Sequence, residues 1–458
     1  MFAKKNIYNV FIVFLISHLA LWTLIPSISN INLPLDTIEA LAWGSDLDWG
    51  FNKHPPLSAI AVEIIYQIFG NQDWAYYLLS QIFVVVTFFV VYKFSEDFFG
   101  NNHSALISVL LLEGIYFFNF TTPEFNVNVC QFPFWALSVY YTWKCIKYEK
   151  AKDYFLLGVF VALGILSKYL FIYLVIGIKL LFIFLITKKK IKVNVSNYLL
   201  VTSTIVIILL PHIFWLIENN YQTIVYGLKR TGGNGDFIDH IKYPLLFLGK
   251  QTGILIPFFI MSYFLIKKIK LRFNFNDKKL IFLIFTVISP IFLIFITSAI
   301  MGANIRTMWM TPFYIYFGMF IVFIFNKAIQ FKNLKKFFIV FLFFFILSPT
   351  LYLSISLSND QKRTDYPGKE IARPVQNKWD DNFKNEIRIV IGDEWYAGNL
   401  SYHLYSRPKW ILSLKDKPNT LNPNDGVIYT GNPKVLKQIC PGEFGTIKPV
   451  GYCMIGQK

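Results

Sequence analysis

The sequence has few charged residues, few cysteines and no common metal or nucleotide motif. Only 16% of its 458 residues are Asp, Glu, Lys or Arg, whereas 55% are hydrophobic and the mean hydropathy is +0.47. Its four cysteines form no CxxC metal-ligand pair, and no glycine-rich phosphate loop lies on a strand-helix unit. This composition excludes an ordinary soluble domain and predicts a polytopic α-helical membrane protein.

Long apolar segments recur along the first 356 residues. Segments such as "FLIFTVISPIFLIFITSAI" and "FFIVFLFFFILSPTLYLSI" approach or reach the length of a bilayer crossing. They predict about eleven transmembrane helices. The predicted spans lie near residues 8–28, 75–93, 103–119, 129–146, 154–167, 169–187, 197–216, 246–266, 279–299, 309–326 and 336–356.

The net charge of +17 is distributed by loop. Lys and Arg gather in alternate short loops, for example 144–152 and 188–192, while the loops between them carry the acids. Because positively charged loops stay in the cytoplasm, this alternation predicts a cytoplasmic amino terminus and an outward carboxyl terminus. Two long loops, 29–74 and 217–243, then face outward. The basic charge therefore indicates membrane topology, and nucleic acid is not expected as a partner.

The composition changes after residue 356. Short β-rich runs such as "EIRIVIGD", "KWILSL" and "DGVIYTG" alternate with polar turns and with a helix-like segment, "EWYAGNLSYHLYS". We therefore expect a membrane domain over 1–356 and a small soluble α/β domain over 357–458, outside the membrane. An oxidising compartment would permit a disulfide between Cys440 and Cys453, but the spacing alone leaves free thiols equally open.

The segment "PLDTIEALAWGSDLDWGFNKHPP" carries the charges of the first outward loop. If Pro34 opens a helix, Asp36 and Glu39 project from neighbouring positions on one face and can border a pocket together. The alternative is a plain helix cap at this amino end. Lys53 and His54 precede two prolines, a stiff support that suits a phosphate-binding cation. A simple helix entry at the membrane surface remains the alternative reading of that motif.

Seven short motifs follow one another in a familiar order. They are "LDTIEALAWG", "DWGFNKHPPLSA", "TTPEFNV", "GILSKYL", "PHIFWLIENNYQTI", "NIRTMW" and "GDEWYAGNLSYHL". In this order the chain resembles the polyprenyl-phosphate-sugar glycosyltransferases of the membrane GT-C superfamily. The branch it resembles most is that of the bacterial aminoarabinose transferases that decorate lipid A, which are akin to protein O-mannosyltransferases.

The resemblance implies a set of site residues. Asp36 occupies the position of the catalytic acid in the first outward loop, although Thr37 follows it where many members have Glu, so that the next acid is Glu39. The remaining positions implied by the motifs are Lys53 or His54 for the lipid-linked phosphate, Glu124 as a further acid, Lys168 with Tyr169, and Arg306 with Trp309. Lys168 at a helix end could instead extend to the membrane interface.

These positions lead to a hypothesis of inverting, single-displacement transfer from a polyprenyl (undecaprenyl) phosphate sugar. Lys53, Arg306, His54 and Lys168 would bind the donor phosphate, and Asp36 would position the acceptor. For a hydroxyl acceptor Asp36 would also be the general base, whereas an ionised lipid A phosphate needs none. No cofactor is required by the sequence, although Asp36, Glu39 and Glu124 leave a divalent cation possible.

Lipid A is the expected acceptor, with a protein or another envelope glycan as the alternative. The richness in Lys, Asn, Ile and Phe is typical of AT-rich bacterial coding sequences, so the expected location is the bacterial inner membrane with the carboxyl-terminal domain in the periplasm. A lipid or small-molecule transporter is the rival from another class. It shares the apolar spans, but no internal repeat is detected.

The loop 217–243 is interpreted as a substrate gate. Its "TGGNG" segment has the composition of a hinge, and Lys229 and Arg230 would attract an anionic lipid. A solvated connector is an equal alternative for this loop.

Overall fold

The computed structural model describes residues 4–231, 236–266, 274–326, 329, 334–358, 361–413 and 424–458. Residues 232–235 of the predicted "TGGNG" hinge lie outside the described residues. Within the described residues, helices occupy the chain up to residue 358 and a small mixed sheet with helices follows.

The first part of the chain consists of α-helices joined by short connections. The helices are α1 (Lys4–Ser29), α2 (Leu35–Gly44), α3 (Leu57–Phe69), α4 (Asp73–Phe99), α5 (Asn102–Leu110), α6 (Val127–Cys130), α7 (Phe132–Tyr148), α8 (Ala151–Ser167), α9 (Ile172–Thr187), α10 (Val195–Glu218), α11 (Gln222–Thr231), α12 (Asp239–Ile254), α13 (Ile256–Leu265), α14 (Lys278–Leu283), α15 (Ser289–Met301), α16 (Phe317–Ile324) and α17 (Leu334–Ser358).

Six helical segments among the described residues are long and apolar enough to cross a membrane. They are Asn6–Ser29, Asp73–Phe99, Tyr169–Thr187, Val195–Glu218, Lys278–Met301 and Leu334–Ser358. Two further helix pairs qualify only together, because α12 and α13 meet at 51° and the helical turn Thr307–Tyr314 meets α16 at 54°. The described part of the chain thus contains six to eight candidate spans.

The sequence predicted about eleven spans, and three of these predicted spans form helices shorter than 18 residues. Hydropathy marks apolar residues whether they face lipid or protein. The predicted spans 129–146 and 154–167 form helices of 17 residues each, and 103–119 forms a 9-residue helix followed by short 3₁₀ turns. The polytopic helical class itself is confirmed by the helix set.

The first predicted outward loop contains two short helices. Pro34 precedes α2 and Pro56 precedes α3, consistent with the fixed φ of proline at a helix start. With 10 and 13 residues these helices are too short to span a bilayer. Most of α2 is buried, which makes it an internal wall rather than a surface segment.

The carboxyl-terminal part is a five-stranded sheet with order β2-β1-β3-β5-β4. Its elements are α18 (Gly368–Asn382), β1 (Ile387–Ile391), α19 (Tyr396–His403), β2 (Lys409–Ile411), β3 (Gly426–Gly431), α20 (Pro433–Ile439), β4 (Glu443–Ile447) and β5 (Val450–Ile455). The predicted α/β character is confirmed. The parallel strands β1 to β3 and α19 coincide with the quoted β-rich and helix-like segments, and a disulfide joins Cys440 to Cys453.

Helix α19 holds this sheet against α2. A Cβ on Gly398 of α19 would lie 3.1 Å from the Ala42 Cβ, so the two helices approach closely. Arg407, just after α19, donates to the Leu41 carbonyl at 2.7 Å and to the Glu63 carboxylate at 3.0 Å. This docking fixes the position of the turn between β1 and α19 relative to α2.

Candidate active site

A cavity of about 990 Å³ opens between α2, the ends of several helices and the β1–α19 turn. Ten of the eleven residues singled out in the sequence line it, and the exception is Lys229, which is exposed. The ten are Asp36, Glu39, Lys53, His54, Glu124, Lys168, Tyr169, Arg230, Arg306 and Trp309. The fold therefore gathers one predicted set from five of the seven motifs and from the loop 217–243.

The acidic end of the cavity is the amino end of α2. The Glu124 carboxylate accepts a hydrogen bond from the Asp36 backbone N–H at 3.0 Å, and the Thr37 hydroxyl donates to the Phe125 carbonyl at 3.1 Å. Glu124 therefore caps α2, whereas the Asp36 side chain is left to face the cavity. The alternative reading of Asp36 as the cap of this helix is not what the structure has.

Burial raises the pKa of both carboxyl groups at this end. For Glu124, burial and then the neighbouring Asp36 charge raise the pKa to about 8. For Asp36, burial raises the pKa, and the positive charges of Lys168, Lys53 and Arg230 partly oppose that rise. Near neutral pH the protein therefore keeps a proton on Glu124 beside the Asp36 carboxyl group.

Lys53 lies between two carboxylates. Its Nζ donates to Glu39 Oε1 at 2.8 Å and lies 3.1 Å from Glu394 Oε1, which also accepts from the Asn52 side-chain amide at 3.2 Å. Burial lowers the pKa of Lys53, but the hydrogen bond and charge of Glu39, together with Glu394, raise it above its ordinary value. Lys53 is thus a fixed cation, and the carboxyl-terminal domain supplies one of its two partners.

Lys168 is the deepest cation of the cavity. It is only 6% exposed, donates from Nζ to Asn128 Oδ1 at 2.6 Å, and lies 5.1 Å from the centre of a Trp309 ring. Burial lowers its pKa to about 7, and the Asp36 carboxylate opposes that effect. The alternative in which Lys168 extends to a membrane interface is wrong, because its ammonium group is buried among protein groups.

His54 contributes a polar ring rather than a positive charge. Burial, and then the charges of Lys168 and Lys53, hold the pKa of His54 well below its usual range. The imidazole packs edge-on against Trp43 and Tyr226, with ring centres 5.9 and 6.2 Å apart. A neutral imidazole in this position can donate one hydrogen bond to a ligand oxygen.

Tyr169 is fixed by hydrogen bonds that continue into the transmembrane helices. Its hydroxyl lies 2.7 Å from His212 Nε2, and the other ring nitrogen of His212 lies 2.5 Å from the Trp49 carbonyl. These contacts tie the helix break after α8 to α10 and to the loop that carries Lys53. Tyr169 therefore forms a rigid part of the cavity wall.

Exposed arginines border the opening. Arg306 follows α15, and Arg230 lies in the last turn of α11 with its guanidinium group 5.5 Å from the Tyr226 ring centre. Arg363 lies over the Trp395 ring at 5.9 Å and acts electrostatically on both Asp36 and Glu124.

Several lining residues were not singled out in the sequence. The most informative is Glu394, which is 8% exposed and sits in the turn after β1, within the quoted motif "GDEWYAG". An acid in a strand-to-helix turn was the available signal, but its partner Lys53 is more than 300 residues away in the chain. Asn128, Lys362 and Arg363 also line the cavity and carried no recognisable motif.

The carboxylates are not arranged as a metal centre. Among the described residues, no group of three or more His, Cys, Asp or Glu side chains could hold a metal ion. Asp36, Glu39 and Glu124 share the cavity, but Glu39 pairs with Lys53 and Glu124 caps α2.

Residues 53–215 match the family described as dolichyl-phosphate-mannose-protein mannosyltransferase. None of the curated proteins matches the chain by sequence. Among solved structures, ArnT from Cupriavidus metallidurans bound to undecaprenyl phosphate superposes with a TM-score of 0.66 at 10% identity, over 99% of this chain and 98% of ArnT. The apo structure of the same ArnT gives 0.64 at 10% identity, over 98% of each chain.

The similarity is therefore of two kinds, a family match over part of the sequence and a shared fold over nearly all of it. Both agree with the resemblance predicted from the motif order, which is confirmed. Residues 53–215 are similar to the mannosyltransferase family, and the whole chain shares the fold of ArnT.

Proposed function

We propose that the protein is an inverting membrane glycosyltransferase that uses a polyprenyl-phosphate sugar, with undecaprenyl phosphate as the carrier. The observation that carries the proposal is the cavity of about 990 Å³ that the half-buried Asp36 shares with a buried lysine and several other cations. The family match and the structure of ArnT bound to undecaprenyl phosphate support the same donor class.

In the proposed reaction an acceptor oxygen attacks the anomeric carbon of the donor sugar. The bond between that carbon and the phosphate oxygen breaks, its electron pair stays on the phosphate oxygen, and polyprenyl phosphate leaves. Lys168 and Arg306 stabilise the charge that develops on the leaving phosphate, and His54 donates a hydrogen bond. Lys53, held between its two carboxylates, gives a fixed positive edge to the phosphate site.

Asp36 is proposed as the residue that positions the acceptor. If the acceptor is a hydroxyl group, its proton passes to the Asp36 carboxylate as the new bond forms, and the raised pKa of Asp36 suits that role. If the acceptor is an ionised phosphate, no proton needs to be removed and Asp36 orients the sugar. Glu124, protonated near neutral pH, adds no second negative charge beside the donor.

We propose lipid A as the acceptor, and a protein hydroxyl as the second candidate. The second candidate is favoured by the family description, which names a protein mannosyltransferase. The test below also identifies the sugar.

The proposed location is the bacterial inner membrane, with the amino terminus in the cytoplasm and the cavity and residues 357–458 in the periplasm. The Cys440–Cys453 disulfide supports an oxidising side for this domain. The alternation of basic loops supports the same orientation. We propose residues 1–356 as the transmembrane glycosyltransferase domain, with 29–74 as its catalytic segment and 217–243 as a gate.

The proposal is tested by mass spectrometry of lipid A from a deletion strain complemented with wild type, Asp36→Asn or Asp48→Asn. Asp48 is the matched control, because it lies in the same segment, accepts a hydrogen bond from the Trp49 backbone N–H and does not line the cavity. We expect deletion to remove one sugar mass, which wild type and Asp48→Asn restore and well-expressed Asp36→Asn does not. An unchanged lipid A profile on deletion would reject lipid A and direct the assay to glycoproteins.

A further inference from the structure

A second pocket of about 450 Å³ adjoins the main cavity. Three cations line it: Arg230 from α11, Lys250 from α12 and Arg306 from the segment after α15. No Asp or Glu is among the described residues that line this pocket, which is here named the side pocket. Its lining also includes the phenol groups of Tyr116 and Tyr243 and the amide of Asn304, which are hydrogen-bonding groups.

The charge of the side pocket differs from that of the main cavity. In the main cavity Lys53 is paired with Glu39 and Glu394, so that much of its charge is compensated inside the protein. In the side pocket, three cations and no acid are among the described lining residues. This excess of positive charge favours an anionic ligand.

The walls of the side pocket are fixed to one another. The Asn304 backbone N–H donates to the Thr231 carbonyl at 3.2 Å, which ties the Arg306 segment to the end of α11. On α12, the Gln251 side chain accepts from the buried Tyr314 hydroxyl at 2.6 Å, which fixes the register of the helix that carries Lys250. The three cations therefore project from anchored backbone.

The side pocket also communicates with the site of chemistry. Arg230 and Arg306 line both spaces, and Arg230 acts electrostatically on Asp36 and Lys168. The volume lies within the range of about 300–1,000 Å³ for small-molecule sites, and is larger than one phosphate group needs. A phosphate attached to a saccharide suits both the charge and the volume.

We propose that the side pocket is an anion subsite that holds a phosphate-bearing headgroup of the acceptor glycolipid, separate from the donor phosphate. The assignment to the acceptor rests on the proposed glycosyltransferase function. The anion itself, a phosphate on a lipid headgroup, is bound by Lys250 together with Arg230, whereas Arg306, which lines both spaces, stays with the donor phosphate. The tyrosine hydroxyls and the Asn304 amide hydrogen-bond the sugar that carries it.

Lys250 allows the side pocket to be tested independently of the main cavity, because it lines only the side pocket. The test compares wild type, Lys250→Gln and Lys250→Arg, with Lys242→Gln as the control from the same helix and outside both linings. Full-length protein in zwitterionic nanodiscs is titrated with bisphosphorylated lipid A, with its phosphate-free form and, separately, with undecaprenyl phosphate. Inorganic phosphate is added as a competitor.

Loss of one charge-assisted contact predicts about a tenfold weaker affinity of Lys250→Gln for bisphosphorylated lipid A. Lys250→Arg and Lys242→Gln should stay within about twofold of wild type, and affinity for undecaprenyl phosphate should be unchanged. The phosphate-free form should bind weakly and equally to all variants.

Three results would overturn the proposal. Equal lipid A affinity of wild type and Lys250→Gln would show that the side pocket does not bind it. An equal loss of undecaprenyl phosphate affinity would assign the pocket to the donor. Binding of inorganic phosphate without any headgroup preference would make it a free-phosphate site. Because binding is measured without transfer, wild type that binds lipid A through Lys250 but transfers no sugar would reject the proposed function alone.

Discussion

Replacement of Glu394 tests whether the carboxyl-terminal domain takes part in the chemistry. Glu394 accepts two contacts, from Lys53 at 3.1 Å and from Asn52 at 3.2 Å. The Lys53 and Glu394 side chains are 21% and 10% exposed, so water screens the pair only weakly. We expect Glu394 to act as a positioning residue that holds Lys53 at the edge of the phosphate site.

The size of the effect follows from the two contacts. Glu394→Gln keeps an oxygen that can accept from Lys53 but replaces a charge-assisted bond of about 1.5–3 kcal/mol by a neutral one of about 0.5–1.5 kcal/mol. The difference of about 1–1.5 kcal/mol corresponds to a fall in kcat/KM of roughly 5- to 13-fold. Glu394→Ala removes both contacts, so kcat/KM should fall further in this variant than in Glu394→Gln.

The assay is sugar transfer by purified protein in nanodiscs, with kcat and the donor KM determined separately. We expect most of the loss in kcat, because removing the carboxylate also removes a repulsion of the donor phosphate and so offsets a rise in KM. Glu370→Gln is the control, an exposed acid on α18 that does not line the cavity. A Glu394→Ala protein with unchanged melting temperature and kcat/KM within twofold of wild type would refute the positioning role.

Three further predictions use other parts of the site. Because Lys168 has a pKa of about 7 and is charged below it, the donor KM should rise as pH increases from 7 to 9, and Lys168→Arg should abolish that rise; a flat wild-type profile would contradict its role. Because Glu124 keeps its proton in the folded state up to about pH 8, the unfolding free energy should fall as pH rises from about 4.5 to 8. Glu124→Gln should remove this component in chemical denaturation at several pH values, whereas an unaltered pH slope would count against a raised pKa. Gly398→Val should reduce the unfolding free energy by about 1–3 kcal/mol by crowding Ala42 and should lower both the melting temperature and kcat; Gly249→Ala, a helical position with open space around it, should lower neither.

Part of the site could be predicted from sequence because its signals are local. Pro34 and the Lys53–His54 motif mark helix starts next to charged residues, and these features do not depend on the rest of the fold. The order of the motifs added the expectation that the charged residues converge, and the cavity contains all of them except Lys229. The strands β1 to β3 were predictable for the same reason, since each is a short β-rich run between turn residues.

The partners of these residues could not be predicted, because they depend on contacts distant in sequence. Lys53 has the sequence context of a free phosphate-binding cation, but the fold places Glu394 beside it through the docking of α19 on α2. Glu124 has the context of a catalytic acid, but its carboxylate caps α2. The number of spans could not be read from hydropathy alone, because α7 and α8, with 17 residues each, lie at the lower limit of the length of a bilayer crossing.

The cavity has carboxyl groups at the amino end of α2 and cations that act on them from its other walls. The Asp36 and Glu124 carboxyl groups lie together at the amino end of α2, where burial raises the pKa of both. The charges of Lys168 and Arg230 act on Asp36 and oppose that rise. A carboxylate with a raised pKa is a better proton acceptor at neutral pH. The cations that act on Asp36 favour the binding of an anionic ligand. A donor phosphate bound by those cations would leave its anomeric carbon between them and Asp36. In the proposed reaction the acceptor attacks that carbon from the Asp36 side, opposite the leaving phosphate, and the anomeric configuration is inverted.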